Sequence, residues 1–285
     1  MKILISGANG FIGKNLLKAL DQPGNSIFAF VRNRSKIRPE QISKNVIFFE
    51  ADLAKTSSYI REVRDFNPEI VFHLAWDGIP DLGLRNSIKS LNMSKFFLKT
   101  IISETNCSKI IITGSCLEYG LKEGLLNEEN PLQPTTFYGL AKISVLSMLK
   151  FFKHEFNLDF LWFRIFYVYG DNQNQRSLYP SLIRAIQNGE SVFKMSHGNQ
   201  MRDFIHINDV IKYFLYPLSN INMSGVFNIS SGRSIKVKDF VNNIINSYGS
   251  DIKIEFDHYD VPSYEPMNFW GDNMKIKELE KLNNL

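Results

Sequence analysis

The sequence predicts an α/β protein built on a Rossmann-type, doubly wound parallel sheet, followed by a smaller α/β lobe. Two observations support this: apolar strand segments alternate with helical segments through the first half, and the first strand runs directly into a glycine-rich turn. Such alternation indicates parallel strands covered by helices on both faces. The predicted strands lie at 2–6, 26–31, 46–51, 69–75, 109–113 and 160–165, and the predicted helices at 11–21, 56–65, 84–105 and 135–156.

The first strand and the first helix show the two periodicities most clearly. Residues 2–6 (KILIS) are an almost unbroken apolar run, which is typical of a strand that is buried on both faces. In the segment that follows, Leu16, Leu17 and Leu20 recur at helical spacing. A buried strand that leads into an amphipathic helix is the first unit expected of a doubly wound sheet.

Beyond about residue 170 the pattern changes to short strands mixed with helices near 177–188, 207–217 and 236–247. We therefore expect a dinucleotide-binding domain at 1–170 and a substrate-binding lobe at 171–285. No Pro/Gly-rich linker separates the two. The two parts are expected to pack closely, with a ligand cleft at the carboxyl ends of the parallel strands.

Charge and composition argue against several classes of protein. The net charge of +4 is scattered, and the densest basic run, at 31–38, is short, so we expect no nucleic-acid partner. Cys107 and Cys116 supply neither a disulfide framework nor a metal-binding cluster. The N-terminus has no signal pattern, and charged residues interrupt the apolar segment 156–170. We expect a cytoplasmic protein with no metal and no membrane insertion.

The turn after the first strand reads GANGFIG, with Gly7, Gly10 and Gly13. Glycines at such a turn let the pyrophosphate of a dinucleotide approach the backbone at a helix N-terminus. The spacing is G-x-x-G-x-x-G rather than the G-x-G-x-x-G fingerprint. We predict a dinucleotide site here, and a purely structural turn is the alternative.

The ends of the second and third strands bear on the choice of dinucleotide. The second strand is followed by Arg32, with no Asp or Glu nearby. An acid there would bind the ribose hydroxyls, whereas an Arg could clamp a 2′-phosphate. We therefore expect NADP(H) in preference to NAD(H); the alternative for Arg32 is a plain surface loop. After the third strand, Asp52 could accept a hydrogen bond from the adenine amino group, or simply cap a helix.

Seven short motifs follow one another along the chain, and together they point to one protein family. The motifs are, in chain order, GANGFIG (7–13), ADL (51–53), HLA (73–75), GSCLEYG (114–120), YGLAK (138–142), RIFYVYG (164–170) and RDFIHINDV (202–210). With these motifs in this order, the chain resembles the extended short-chain dehydrogenase/reductases, especially those that act on nucleotide sugars, over residues 1 to about 272.

This resemblance implies a catalytic triad of Ser115, Tyr138 and Lys142. Tyr138 and Lys142 are four residues apart, so a helix presents both on one face. A Tyr hydroxyl has a pKa near 10, and a neighbouring ammonium would lower it towards the range useful for proton transfer. Lys142 would also hold the nicotinamide ribose, and Ser115 would hydrogen-bond the substrate oxygen.

The resemblance also implies binding residues. Asn92 would lie behind the catalytic lysine, or be a buried helix Asn. Arg202 would meet a diphosphate, or form a structural ion pair with Asp203 or Asp209. The cofactor-binding set is Gly7, Asn9, Gly10, Phe11, Ile12, Gly13, Arg32, Asp52, Leu53, Leu74, Ala75, Asn92, Tyr138, Lys142, Phe166 and Val168. The substrate-binding set is Ser115, Leu117, Tyr138, Tyr167 and Arg202.

This sequence differs from the patterns of several groups within the family, and these differences reduce the number of candidate reactions. Sugar 4,6-dehydratases carry Asp-Glu directly after the catalytic Ser or Thr, where this chain has Cys116 and Leu117. GDP-fucose-synthase-like enzymes use a Cys at the position that Leu117 occupies here. They also use a His further along the chain; the matching position here falls near Ser177, and no His is found there. We interpret Cys116 as a core or pocket-wall residue. Reduction and 4-epimerisation remain open.

The leading hypothesis is an NADPH-dependent reductase of a nucleotide-linked 4-keto-6-deoxy sugar. The alternatives are a nucleotide-sugar 4-epimerase and a non-catalytic NADP(H)-binding protein. Tyr167 stands where the family has Asn, no Arg precedes Glu265 where one often touches the diphosphate, and the usual final helix is not expected. Family members usually dimerise through the helices expected at 84–105 and 135–156, so a homodimer is expected.

Overall fold

A computed structural model describes residues 1–37, 43–79, 81–156, 158–219 and 223–283. The strands are β1 (Lys2–Ser6), β2 (Ser26–Val31), β3 (Val46–Glu50), β4 (Ile70–His73), β5 (Lys109–Ser115), β6 (Gly124–Leu126), β7 (Asp159–Ile165), β8 (Tyr167–Tyr169), β9 (Val192–Lys194), β10 (Met201–Arg202), β11 (Phe204–His206), β12 (Gly225–Ile229), β13 (Ile235–Lys236), β14 (Lys253–Glu255) and β15 (Phe269–Gly271). The helices are α1 (Phe11–Leu20), α2 (Ile60–Phe66), α3 (Leu84–Glu104), α4 (Phe137–Phe156), α5 (Leu178–Gln187), α6 (Ile207–Ser219), α7 (Val237–Ser247) and α8 (Met274–Asn283).

Seven of the described strands form one parallel sheet in the order β12-β7-β5-β4-β1-β2-β3. Ile3 and Ile5 face a core that also contains side chains of α1, α6 and α8. Leu4 faces the opposite core, with side chains of α2, α3 and α4. Alternate residues of β1 therefore enter opposite cores, as the period of two in a strand requires. The predicted doubly wound fold is confirmed.

The expected boundary at residue 170 does not coincide with the edge of this sheet. β12 joins the sheet beside β7, with Phe227 opposite Phe163 and Ile229 opposite Ile165. Strand order is set by which apolar faces can be buried together, and Phe227 and Ile229 are both buried. The smaller core of the C-terminal part lies between α5 and α7 and includes Leu182.

One local expectation was wrong, and another was right only in part. A final helix is present, because α8 places Ile276 in the core shared with α1 and α6, where it is fully buried. The helix expected at 56–65 is instead a 3-10 turn at Thr56–Ser58 followed by α2. None of the described helices combines the length and apolarity that a membrane crossing requires.

Candidate active site

The glycine turn lies against the segment that follows β4. Gly7 has a left-handed backbone with φ of 76°. A Cβ atom at Gly7 would lie 2.8 Å from the Ala75 nitrogen, and one at Gly13 would lie 2.2 Å from the Gly7 oxygen. No side chain caps the N-terminus of α1. This cradle of bare backbone at a helix start fits the pyrophosphate of a dinucleotide.

Most of the other predicted cofactor residues follow the carboxyl ends of neighbouring strands. Asn9 lies in the glycine turn, and Phe11 and Ile12 are half-buried at the start of α1, close after Gly10. Leu53 and Phe166 are buried, whereas Leu74, Ala75 and Val168 are half-buried. In a parallel sheet the carboxyl ends of the strands share one edge, so the residues after β1, β3, β4 and β7 lie along it.

The predicted triad residues come together at the end of β5 and the start of α4. Ser115 and Tyr138 are each 8% exposed and share a side-chain hydrogen bond. Lys142 is 2% exposed, and its Nζ donates to the carbonyl oxygen of Thr113 at 2.7 Å. The N–H of Leu117 donates to the Ser115 hydroxyl at 3.2 Å. The three side chains therefore face one buried region next to the glycine turn.

Burial controls the ionisation of this cluster. It raises the pKa of Tyr138, and the hydrogen bond from Ser115 offsets only part of that effect. Tyr138 is therefore protonated at neutral pH and can act as a proton donor. Burial lowers the pKa of Lys142 to about 7, against the opposing charge of Glu118. Lys142 is thus close to its point of half-protonation under neutral conditions.

Trp76 forms one wall of the cluster and was missed in the sequence. The Nζ of Lys142 lies 3.9 Å from the centroid of the Trp76 ring. The Trp76 and Tyr138 rings meet edge to face at 5.4 Å. A cation over an aromatic face is attracted by the ring quadrupole. The sequence signal was the position of Trp76 directly after HLA, one residue beyond the predicted nicotinamide-lining Ala75.

Glu118 anchors Ser115 from behind and was also missed. The Ser115 N–H donates to the Glu118 carboxylate at 2.8 Å, and the Arg164 Nε and Trp162 Nε1 donate at 2.8 and 2.9 Å. Glu118 is fully buried. With the Leu117 N–H on the Ser115 hydroxyl, this arrangement is a capping box. The S-x-x-E spacing of Ser115 and Glu118 is the signature that could have revealed it.

Cys116, beside Ser115, is 6% exposed. Burial raises the pKa of its thiol, so the thiol is neutral and is a poor proton acceptor. Its neighbour Leu117 has no ionisable group. Cys116 packs in a buried cluster with Tyr119, Leu126, Phe166 and Phe269, so of the two predicted interpretations the core residue is the one observed.

Arg202 is held by a partner other than the two expected. Its guanidinium donates to the Glu265 carboxylate at 2.9 and 3.2 Å, and Asp203 instead accepts backbone N–H groups from Ser231, Gly232 and Gly271. The predicted alternative for Arg202, a structural ion pair with Asp203 or Asp209, is therefore wrong. Successive side chains of an extended segment point to opposite sides, so Arg202 and Asp203 meet different segments.

A cavity of about 710 Å³ lies beside Arg202 in the C-terminal part. Tyr167, the position where the family has Asn, lies on its wall, with the Arg202 guanidinium 5.5 Å from its ring. Arg176 and Lys194 also line the cavity and are exposed. Glu190, Asp260 and Glu265 line it too, so the cavity combines aromatic surface with charges of both signs.

Three predicted cofactor residues have contacts that differ from the expectation. Asn92 is exposed on α3, and no hydrogen bond joins it to Lys142 among the described residues, so neither a place behind Lys142 nor a buried helix Asn is observed. Asp52 accepts the Ala54 N–H at 3.1 Å within a local turn, and it does not cap the following 3-10 helix, whose N-cap residue is Lys55. Arg32 is paired with Asp77.

Two features define the class of protein to which this chain belongs. They are the glycine turn at the start of α1 and the buried Ser-Tyr-Lys cluster at the same edge of the sheet. The protein is a dinucleotide-dependent enzyme of the extended short-chain dehydrogenase/reductase type. Residues 3–230 match the NAD dependent epimerase/dehydratase family, and the chain belongs to that family.

Named relatives narrow the chemistry of the family. The chain is 26% identical over 273 residues to a dTDP-6-deoxy-L-talose 4-dehydrogenase (NAD(+)) of Aggregatibacter actinomycetemcomitans, covering 95% of this chain and 99% of that protein. It is 27% identical over 255 residues to a dTDP-4-dehydro-6-deoxyglucose reductase of Escherichia coli, covering 85% of this chain and 80% of that protein.

Among solved structures, a UDP-N-acetylglucosamine 4-epimerase from Methanobrevibacter ruminantium M1 in complex with UDP-N-acetylmuramic acid is similar throughout. Its TM-score is 0.85 at 25% identity, with 98% of this chain and 91% of that chain covered. The chain therefore falls in a family of nucleotide-sugar-modifying enzymes.

The depressed pKa of Lys142 predicts a pH-dependent stability. Between about pH 7 and about pH 10.5 the unfolded chain keeps a proton on this lysine that the folded chain has lost. The free energy of unfolding should therefore rise with pH in this window, by ~2 kcal/mol from about pH 7 to about pH 9. As the pH falls back through about 7, the folded chain also binds the proton, and this stabilising contribution of Lys142 is lost. Lys142→Met should lack this rise in urea unfolding measured across the window.

Lys150→Met is the matched control, because Lys150 is exposed on the same helix. It should keep the wild-type slope. Equal slopes for wild type and Lys142→Met would show that Lys142 is not a buried, readily deprotonated amine.

Proposed function

We propose that the protein is an NADPH-dependent reductase of a nucleotide-linked 4-keto-6-deoxy sugar, in deoxysugar biosynthesis for a surface polysaccharide. The observation that carries the proposal is the buried cluster of Ser115, protonated Tyr138 and Lys142 beside the glycine turn. Reduction of a ketone requires a proton donor for the carbonyl oxygen, and a protonated tyrosine can be that donor.

The roles of the three residues follow from their positions. Tyr138 donates its proton to the C4 oxygen of the sugar while Ser115 hydrogen-bonds the same oxygen and orients it. Lys142, when protonated, stabilises the tyrosinate that the donation leaves and holds the nicotinamide ribose. Gly7, Gly10 and Gly13 would hold a reduced dinucleotide on the glycine turn, and that dinucleotide would supply the hydride.

The residues around Ser115 favour reduction without further ring chemistry. Elimination of water or epimerisation through an enolate needs a second group that moves a proton at a neighbouring carbon. Leu117 has no such group, and burial keeps the thiol of Cys116 neutral. One proton donor and one hydride are enough for a 4-ketoreductase.

The cofactor part of the proposal rests on Arg32. No carboxylate follows β2 to bind the ribose hydroxyls, and a guanidinium there suits a 2′-phosphate. The relative named as a 4-dehydrogenase carries NAD(+) in its name, which makes the preference of this chain an experimental question. The two cysteines are free thiols, which suits the reducing cytoplasm we propose as its location.

The substrate part rests on the cavity beside Arg202. Arg176 and Lys194 leave their charges available to a diphosphate, whereas the charge of Arg202 is balanced by Glu265. The names of two relatives make dTDP-linked sugars the first candidates, with CDP- and GDP-linked sugars next.

A 4-epimerase is the second candidate, since the solved structure at 25% identity is a 4-epimerase. Such an enzyme would retain its dinucleotide and interconvert sugars with no net consumption. A non-catalytic NADP(H)-binding protein is the third, and the presence of Ser115, Tyr138 and Lys142 argues against it.

A homodimer is part of the proposal. α3 and α4 bury one face against the sheet but leave large apolar side chains outside, with Ile88 48%, Phe96 41%, Leu140 53% and Phe151 73% exposed. Such a surface on two adjacent helices favours a four-helix interface with a second copy.

Tyr138→Phe tests the proton donor. The change removes only a hydroxyl, so Kd for NADPH should stay within about twofold while turnover falls by ~10²–10⁴. The measurement is NADPH consumption with CDP-, dTDP- and GDP-linked 4-keto-6-deoxyhexoses. The exposed Tyr248 supplies a control, Tyr248→Phe, which should match wild type. Near-full turnover by Tyr138→Phe on the preferred sugar would overturn the mechanism.

Arg32→Asp tests the cofactor. Wild type should bind NADPH at least about tenfold more tightly than NADH, because a charged hydrogen bond is worth ~1.5–3 kcal/mol, and the variant should reverse the order. Fluorescence titration of the purified protein measures both constants. Arg61→Asp, on an arginine whose side chain is 86% exposed on α2, is the charge control. Equal binding of both dinucleotides by wild type would contradict the preference.

Phe151→Glu tests the dimer. Wild type should scatter light as two copies of the chain at micromolar concentration, and the variant should scatter as one, because a charge at the centre of an apolar interface is costly. Phe256→Glu, at a phenylalanine 43% exposed in the C-terminal part, is the control and should remain dimeric. A monomeric wild type would refute this interface.

A further inference from the structure

One ion pair crosses the edge of the sheet where the dinucleotide site lies. Arg32 follows β2, and Asp77 comes four residues after β4. β1 lies between β2 and β4 in the sheet. The Arg32–Asp77 pair therefore spans the carboxyl end of β1, where the glycine turn begins and where Gly7 packs on Ala75.

The two partners differ in how firmly they are held. The Asp77 side chain is 13% exposed, its N–H donates to the buried Ser90 hydroxyl at 3.0 Å, and its carboxylate accepts from Lys89 Nζ at 2.6 Å. The Arg32 side chain is 72% exposed, and Asp77 is its hydrogen-bond partner within the described part of the chain. The carboxylate is thus fixed and the guanidinium is free to turn.

The carboxylate remains charged at neutral pH. Burial acts to raise the pKa of Asp77, but the hydrogen bond from Lys89 and the charge of Arg32 outweigh it and hold the pKa below its ordinary value. If Arg32 turns away, Lys89 still neutralises Asp77. Exchange of Arg32 between partners therefore leaves no buried charge without a counter-ion.

We propose that Asp77 is a specificity-determining residue for the dinucleotide, because it competes with a 2′-phosphate for Arg32. This inference rests on the proposed contact between Arg32 and that phosphate. A dinucleotide with a 2′-phosphate must break the Arg32–Asp77 pair to gain its own, whereas one without it leaves the pair intact. The preference for NADPH is therefore smaller than it would be if Arg32 had no partner. Lys89 reduces the effect of Asp77, because it shares the same carboxylate.

Asp77→Asn removes the competing charge with little change in size. The ratio of the NADH Kd to the NADPH Kd should rise about 1.4- to fivefold, the range for an exposed ion pair worth ~0.2–1 kcal/mol. Lys89→Met should lower the same ratio, because Asp77 then depends on Arg32 alone. Both constants are measured by fluorescence titration of the full chain, which requires no turnover. Asp65→Asn, at an aspartate 70% exposed on α2, is the charge control and should leave the ratio unchanged.

Arg32→Ala separates this proposal from the cofactor preference on which it rests. It should lower the ratio, and in that background Asp77→Asn should have no further effect on it. If Arg32→Ala lowers the ratio but Asp77→Asn leaves it at the wild-type value, the competition is refuted and the contact of Arg32 with the phosphate stands. If Arg32→Ala leaves the ratio unchanged, the contact itself is refuted, and the competition with it.

Discussion

A buried ion pair between Glu118 and Arg164 holds the candidate active site in place. Glu118 joins the Ser115 backbone on β5 to the Arg164 guanidinium on β7. Arg164 continues to the Tyr119 hydroxyl at 3.1 Å, and Tyr119 donates to Asn228 of β12 at 2.7 Å. Removing one partner from such a pair leaves a buried charge and costs about 3–5 kcal/mol. The orientation of Ser115 thus depends on an electrostatic contact that is enclosed within the protein.

The segment after β4 connects three parts of the candidate site. Ala75 contacts the glycine turn, Trp76 covers Lys142, and Asp77 holds Arg32. Because these three residues are consecutive, a shift of this short segment would move the surroundings of both Lys142 and Arg32.

The family to which the chain belongs includes several reactions, so its members must be told apart by the residues around the shared Ser-Tyr-Lys cluster. Here those neighbours are a neutral buried thiol at Cys116, an apolar Leu117, and a tryptophan on the lysine. Burial raises the pKa of Tyr138, which shares a hydrogen bond with Ser115 and can donate a proton. Neither Cys116 nor Leu117 offers a group that could remove a second proton at neutral pH.

The alternating fold, the glycine turn and the helical pair of Tyr138 and Lys142 could be predicted from the sequence, because each is encoded by local periodicity or by residues close together in the chain. The capping box of Ser115 and Glu118 was equally local and could have been found. Three features appear only in the folded chain: β12 returns to the large sheet, Asp77 holds Arg32 from 45 residues away, and Glu265 holds Arg202 from 63 residues away. Such pairings depend on which strand ends and loops meet when the apolar faces are buried, and no local pattern of charge or hydropathy specifies that meeting.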